Sequence, residues 1–247
     1  MRDDFNVQIE NGKIVDAFRI DASMPTIKHL ISNGARVVIC AHLGRPGGKR
    51  DETLSLRPIA EYMNIPFVDD CLKKDFLASM KNGDVVLMEN LRFYNGEEEN
   101  DDSFAKKLAK GFDMYVNDAF AVSHRSAASL VGVTKYLPSY AGDLLSKEVE
   151  NISRVIKNPE HPFVAFVGGA KVSSKIGVLK KLVTIADKLV VGGAMGTTFN
   201  FVDGMAVGNS LYEADMIDVV TDIKKLAKKN HCEILLPLDK GVGKTFD

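Results

Sequence analysis

The chain lacks several things, and each absence removes a class of function. Its 3 cysteines in 247 residues (Cys40, Cys71, Cys232) are scattered without paired spacing. Neither a disulfide framework nor a zinc module is expected, and a reducing cytoplasm is. Cys40 and Cys232 sit in apolar, strand-like runs and read as small buried hydrophobes. No apolar run is long enough to cross a bilayer, and the opening residues do not read as a signal peptide, so no membrane partner is expected. Charge of one sign is also missing: 32 Lys and Arg against 33 Asp and Glu leave a formal net charge of -1. A general nucleic-acid binder carries a broad positive footprint interleaved with stacking aromatics, and this chain has neither. No internal repeat or low-complexity tract appears, and neither a Walker A nor a Rossmann glycine pattern is present.

What is there is a soluble globular composition, 45% hydrophobic and 26% charged. The length suits one large domain or two ordinary ones. Short apolar runs alternate with segments of helical period. Strands are expected at 36–41, 65–68, 85–88 and 114–117, with helices around 24–32, 57–63, 71–80 and 103–110. That alternation implies right-handed crossovers and a parallel sheet. After Pro138 a helix at 144–156 ends at Asn158-Pro159, and a second series follows. Its strands are expected at 163–167, 188–191 and 233–236, its helices near 172–186 and 212–229. The expectation is an α/β protein of two Rossmann-like parallel-sheet domains, 1–140 and 161–247, joined by a hinge helix within 141–160. The run Glu97-Glu98-Glu99 reads as a solvated loop.

Three first-half strands run out into basic residues: His42 and Arg45, Arg92, and His124 with Arg125. Residues past the carboxyl ends of parallel strands gather on one rim, where ligands bind in open α/β sheets. Guanidinium forks there suit a carboxylate or phosphate, so a small anionic substrate is expected. In the second half, Gly168-Gly169-Ala170-Lys171-Val172-Ser173-Ser174-Lys175 joins a strand to a helix. Glycines admit phosphate oxygens to backbone N–H groups, and lysines four apart share a face of the first helical turns. The spacing fits a phosphate site and an ordinary glycine turn with solvated lysines equally well. Gly192-Gly193 adds a second backbone surface after the next strand.

Together these segments resemble phosphoglycerate kinase along essentially the whole chain. The resemblance rests on Asp4-Phe5-Asn6-Val7, Phe18-Arg19-Ile20, His42-Leu43-Gly44-Arg45-Pro46, Glu89-Asn90-Leu91-Arg92-Phe93, Val116-Asn117-Asp118-Ala119-Phe120 and Gly168-Gly169-Ala170-Lys171, in the family's order. It implies reversible phosphoryl transfer from 1,3-bisphosphoglycerate to ADP, giving 3-phosphoglycerate and ATP in glycolysis, with Mg-ATP and Mg-ADP as nucleotide forms. By resemblance, Asp4 and Asn6 contact the glycerate and Arg19 lies beside the transferring group. His42, Arg45, Arg92 and Arg125 form the basic patch. Lys171 and Lys175 meet nucleotide phosphates, with Gly169, Ala170 and Gly193 in the nucleotide loop, and Arg19, Lys171 and Lys175 stabilise the group in flight. No metal-ligating residue is expected. The resemblance further implies domain closure about the helix near Glu148, a cytoplasmic location, and a monomer when full length.

Taken singly, the same residues have plainer readings. Asp4 and Asn6 suit an Asx turn, Arg19 a solvated helix start, and His42 and His124 structural histidines. Arg92 and Arg125 suit weak surface pairs with the acidic run. Convergence on one rim favours the functional reading. The chain departs from the family at Gln8, Ala127 and Ala194, where a proline, a histidine and a glycine are usual. Gly241-Val242-Gly243-Lys244-Thr245 imitates the tail of a Walker A motif, but its first glycine would fall at Leu238, so it reads as a chance match. Relative to the family most of an N-terminal strand and much of the second domain are missing, so the second domain is expected to be truncated, with an exposed sheet edge. The alternative function is a non-catalytic fragment that binds phosphoglycerate without turnover.

Overall fold

The computed structural model describes residues 1–239, 241 and 243. The Walker-like stretch Gly241 to Thr245 therefore lies largely outside the described residues. Two compact units divide the chain, Met1–Asn151 and Ile152–Asp247.

The first unit opens with a hairpin of β1 (Ile9–Glu10) and β2 (Lys13–Ile14), whose tight connection has Asn11 and Gly12 at positive φ. Helix α1 (Phe18–Ser32), β3 (Val37–Ile39), α2 (Arg57–Met63), β4 (Phe67–Val68) and β5 (Val85–Met88) follow. Then come α3 (Asn95–Glu98), α4 (Asp102–Ala109), β6 (Tyr115–Asn117), β7 (Ser139–Ala141) and α5 (Asp143–Lys157), which runs across the boundary at Asn151. Strands β4, β5 and β3 pair in parallel, as do β6 and β7. Residues 1–3 join the two sheets. Cys40 N–H donates to the Met1 carbonyl (2.9 Å), Arg2 N–H to Val116 (2.8 Å), Asp3 N–H to Cys40 (3.0 Å) and Asp118 N–H to Arg2 (2.8 Å). The result is one continuous parallel sheet ordered β4-β5-β3-(1–3)-β6-β7. Its faces are packed by two apolar clusters. One centres on Phe5, Ile20, Ile27, Ile39, Ile59 and Leu87, the other on Val38, Met88, Leu91, Phe104, Leu108 and Tyr115.

The second unit contains β8 (Val164–Gly168), α6 (Ile176–Leu182), β9 (Lys188–Gly192), α7 (Gly193–Val202), α8 (Ile217–Lys229) and β10 (Glu233–Leu235). Its parallel sheet runs β10-β9-β8. Leu179, Val183, Leu189, Val191, Phe199, Val220 and Ile223 form the core. Edge strand β8 turns Val164 and Phe166 outward.

Several local expectations give way. The helix expected at 71–80 is only a 3-10 turn at Asp75–Ser79. Asp70 Oδ1 accepts Leu72 N–H at 2.8 Å, and Lys74 Nζ donates to the Cys71 carbonyl at 2.9 Å, so side chains satisfy groups a helix would have used. Helix α1 starts six residues earlier than the period suggests, and Pro25 sits inside it. The stretch at 172–186 yields a 3-10 turn, Ser173–Lys175, before the seven-residue α6. The acidic run is α3 and its Glu99 cap, not a loop, and Glu97 is buried. Gly193 begins α7, an element that propensity hid behind its glycines.

Candidate functional site

Because the strands of the first unit are parallel, their carboxyl ends open on one rim. An open pocket there is lined by Asp4, Asn6, Arg19, His42, Gly44, Arg45, Arg92, Ala121, Val122, His124 and Arg125. Every first-unit residue assigned to the substrate from the sequence, and His124 with them, is in it. Each arrives by a different local device.

Asp4 and Asn6 follow directly on residues 1–3. Asp4 Oδ1 takes the Asn6 N–H at 3.2 Å, the Asx turn foreseen as its plain reading. Its Oδ2 accepts from Arg19 Nη1, which rises from the first turn of α1. Asn6 Oδ1 accepts Gly44 N–H at 2.9 Å, tying the loop after β3 to the loop after residue 3. Gly44 is at φ +61, and a Cβ there would lie 2.8 Å from the Leu54 side chain, so the loop needs glycine.

Glu89 and Asn90 set the position of Arg92. Glu89 is buried and accepts from Ser55 Oγ (2.7 Å), Leu56 N–H (2.9 Å) and Asn90 N–H (2.8 Å). Asn90 donates to the carbonyls of Leu43 (2.8 Å) and Leu54 (2.9 Å) and caps the turn Leu91–Phe93 by accepting Arg92 N–H at 3.0 Å. Arg92 then reaches the Gly44 carbonyl and Glu98. The pairing with the acidic run is real, but Arg92 itself is buried, so it is no solvated surface pair. Burial pulls its guanidinium down from the usual value; Glu98 opposes this, while Arg125 and Arg2 add to it.

His42 is buried, and its ring is pushed down to about 2 by burial first, then by Arg2, Arg92, Arg125 and Arg19. It enters the patch as a neutral imidazole rather than a cation, because burial first, and then four guanidiniums, oppose its charge. Arg45, His124 and Arg125 are exposed on the rim. Ala127, by contrast, is buried beside Ala119, Val122 and Leu130.

Beneath the rim, Arg2 and Ser129 escaped the sequence reading, and Glu97, expected to be solvated, is buried. Glu97 accepts Ser129 N–H at 2.9 Å and Ser129 Oγ at 2.5 Å. Ser129 Oγ in turn accepts Arg2 Nε at 2.9 Å, and Arg2 Nη2 lies 3.1 Å from His42 Nδ1. The signal available for Arg2 was its spacing of two from Asp4, which places both on one face of an extended segment. Nothing local marked Glu97 or Ser129.

In the second unit the loop after β8 and the start of α7 touch. Met195 N–H donates to Gly169 O at 2.9 Å, and Gly193 sits at φ +65. Lys171 is exposed and Lys175 half-buried, its Cε lying 3.5 Å from where a Gly169 Cβ would be. The two lysines do not share a face of one α-helix: the 3-10 turn intervenes and α6 begins only at Ile176. Ala170, just before Lys171, is exposed. Glu213, also unforeseen, accepts Ser173 N–H (3.1 Å) and Oγ (2.6 Å), and Ser173 holds its carboxyl below the usual range. Ala194 is half-buried in α7, its carbonyl accepting from Thr198 Oγ1 at 3.2 Å. Among the described residues no group of three or more His, Cys, Asp or Glu is placed to hold a metal, and no helix is long and apolar enough to cross a membrane.

Comparison with known proteins adds an independent line. The family model described as phosphoglycerate kinase matches residues 1–247. The phosphoglycerate kinase of Borrelia duttonii (strain Ly) is 46% identical over 255 residues, spanning 100% of this chain and 65% of that protein. That of Moorella thermoacetica is 45% identical with the same coverage. The solved structure of phosphoglycerate kinase from Coxiella burnetii superposes with a TM-score of 0.84 at 40% identity, covering 96% of this chain and 62% of that one. The chain thus spans 65% of the length of these two curated relatives.

Proposed function

The chain belongs to the phosphoglycerate kinase family, and on that footing we propose that it serves reversible phosphoryl transfer between 1,3-bisphosphoglycerate and ADP, yielding 3-phosphoglycerate and ATP. The observation that carries the proposal is the rim pocket, where Arg19, Arg45, Arg92 and Arg125 surround the polar groups of Asp4, Asn6 and neutral His42. A three-carbon acid bearing a phosphate has charge at both ends, which suits such a cluster.

In this reading residues 1–140 hold the glycerate, 141–160 form the hinge element and 161–247 hold the nucleotide. The acyl phosphate is broken by the terminal oxygen of ADP, or in reverse the glycerate carboxylate attacks the γ-phosphorus of ATP. The carboxylate is already ionised at neutral pH, so no general base is required. Protein catalysis is then positioning and charge stabilisation on the equatorial oxygens. Arg92, Arg45 and Arg125 fix the 3-phosphate, and Asp4 and Asn6 orient the glycerate. Arg19, Lys171 and Lys175 stabilise the migrating group, with Gly169, Ala170 and Gly193 lending backbone to the nucleotide phosphates. The nucleotide enters as its magnesium complex, as substrate. No protein cluster among the described residues fits a resident ion. A cytoplasmic monomer is the setting proposed.

Calorimetric titration of the purified chain with 3-phosphoglycerate tests the reading, beside Arg92→Met and Arg125→Met. Binding by the wild-type chain, weakened in both variants, is expected. Absence of binding, or binding indifferent to both substitutions, would overturn it.

A further inference from the structure

A file of four polar side chains runs inward from the rim: His42, Arg2, Ser129, Glu97. Each link has only one possible polarity. A guanidinium has donors and no acceptor, and an ionised carboxylate has acceptors and no donor. Ser129 Oγ lies 2.5 Å from Glu97 Oε1 and must spend its one proton there. Its lone pairs then face Arg2 Nε, which donates at 2.9 Å. Arg2 Nη1 donates to the Asp3 carbonyl. That leaves Nη2, 3.1 Å from His42 Nδ1, where arginine again can only donate. Nδ1 must offer its lone pair, and the ring hydrogen is driven to Nε2.

We infer that Arg2, steered by Ser129 and Glu97, is a positioning residue that holds His42 in the Nε2–H tautomer, so that the rim presents a neutral N–H donor at this point. The inference deepens the anion-pocket reading of the function, on which its consequence for ligand affinity rests. Arg2 is 2% exposed, Glu97 2% and Ser129 fully buried, so the file is locked by packing and does not depend on solvent. Among the described residues no carboxylate forms an ion pair with Arg2; Glu97 balances it through the Ser129 hydroxyl. This arrangement serves an anion site in a specific way. A protonated imidazole would lie among Arg2, Arg19, Arg92 and Arg125 and repel them. An Nδ1–H tautomer would turn a lone pair toward the anion. The Nε2–H form alone supplies a hydrogen bond without adding a charge.

The test is the side-chain ¹⁵N spectrum of His42 in the ligand-free chain, with Arg2→Lys, Arg2→Met, Ser129→Ala and His42→Ala as variants. The wild-type ring should show the Nε2–H form throughout about pH 5 to about pH 8, well beyond the range where a free imidazole stays neutral. Arg2→Met removes the donor and should give a mixed-tautomer, titrating ring; Arg2→Lys keeps a donor and should retain the Nε2–H form. Ser129→Ala frees Arg2 to turn and should give a partial mixture even if Arg2→Met fails to fold. Ser129→Ala should also weaken 3-phosphoglycerate binding by roughly threefold to tenfold, and not at all in a His42→Ala background. An Nδ1–H or protonated ring in the wild-type chain, or a Ser129→Ala spectrum identical to wild type, overturns the inference. A correct tautomer with no 3-phosphoglycerate binding would instead count against the substrate reading alone.

Discussion

Arg92 donates from Nη1 to the Gly44 carbonyl at 2.7 Å, so a residue at the end of β5 holds the loop that leaves β3. The same guanidinium reaches Glu98 through Nε at 3.3 Å, and its side chain is only 7% exposed. Its orientation in the pocket is therefore set before any ligand arrives. Arg92→Met keeps the apolar stem and removes the fork. Affinity for 3-phosphoglycerate should fall by the worth of charge-assisted hydrogen bonds, about 1.5–3 kcal/mol or roughly 10- to 100-fold. Calorimetry reads this directly, and unchanged affinity would place the anion elsewhere.

Arg19 is paired with Asp4 but remains half exposed. The Arg19 end of the pair is open to water, although the Asp4 side chain is only 10% exposed, and such a pair contributes about 1 kcal/mol to folding. Arg19→Ala should therefore unfold in denaturant close to wild type. If the residue stabilises the migrating phosphoryl group, turnover in a coupled assay should fall about 100- to 1000-fold, the usual loss for one such donor. A variant that loses stability and activity in step would mark a structural role.

His42 makes stability depend on pH in a definite sense. Its folded value lies near 2, below the 6.5 of the free side chain, because of burial and then the surrounding arginines. As pH falls through 6.5 the unfolded chain takes up a proton that the folded one refuses. Stability present above 6.5 is lost on acidification at up to about 1.4 kcal/mol per pH unit. Denaturant midpoints between about pH 7.5 and about pH 5 should show this slope, reduced in His42→Gln. An equal slope in the variant would assign it to other groups.

Asp3 acts in the opposite sense. Burial, and then neighbouring Asp118, raise its carboxyl from 3.8 to about 7, against the opposing pull of Ser23, the N-terminus and Arg2. Its contribution is complete below 3.8 and is lost as pH rises through 7, since the unfolded chain ionises first. Asp3→Asn should raise stability at about pH 8 by ~1–3 kcal/mol, because it removes the charge that burial and Asp118 oppose. Chemical denaturation at that pH would contradict the assignment if the variant were weaker than wild type.

Gly193 joins the two glycine segments of the second unit. It sits at φ +65, and a Cβ would lie 3.0 Å from Gly169 O and 3.3 Å from Gly169 N. Gly193→Ala should cost about 1–3 kcal/mol through backbone strain and push the two loops apart. ATP titration should show weakened binding if those loops cradle phosphates. A variant that is destabilised yet binds ATP normally would confine the glycine to a packing role.

Much of this was legible locally. The alternation of apolar runs with helical periods specified parallel α/β units. The basic residues after strands 36–41, 85–88 and 114–117 specified an anion-binding rim, because strand polarity alone brings carboxyl ends together. The misreadings come from residues partnered far away in sequence and, in one stretch, from side-chain bonds two and three residues apart. Glu97 looked solvated because its partner Ser129 lies 32 residues on. The helix expected at 71–80 gave way to side-chain bonds that periodicity does not register. His42 looked like one more cation in a basic patch. Its neutrality follows from burial and from Arg2, 40 residues earlier in the chain. Composition and spacing determined which chemical groups meet at the rim, since those depend on the chain's own period. Only the tertiary structure decided their charge and direction, because protonation and hydrogen-bond polarity are set by burial and by neighbours the sequence keeps apart.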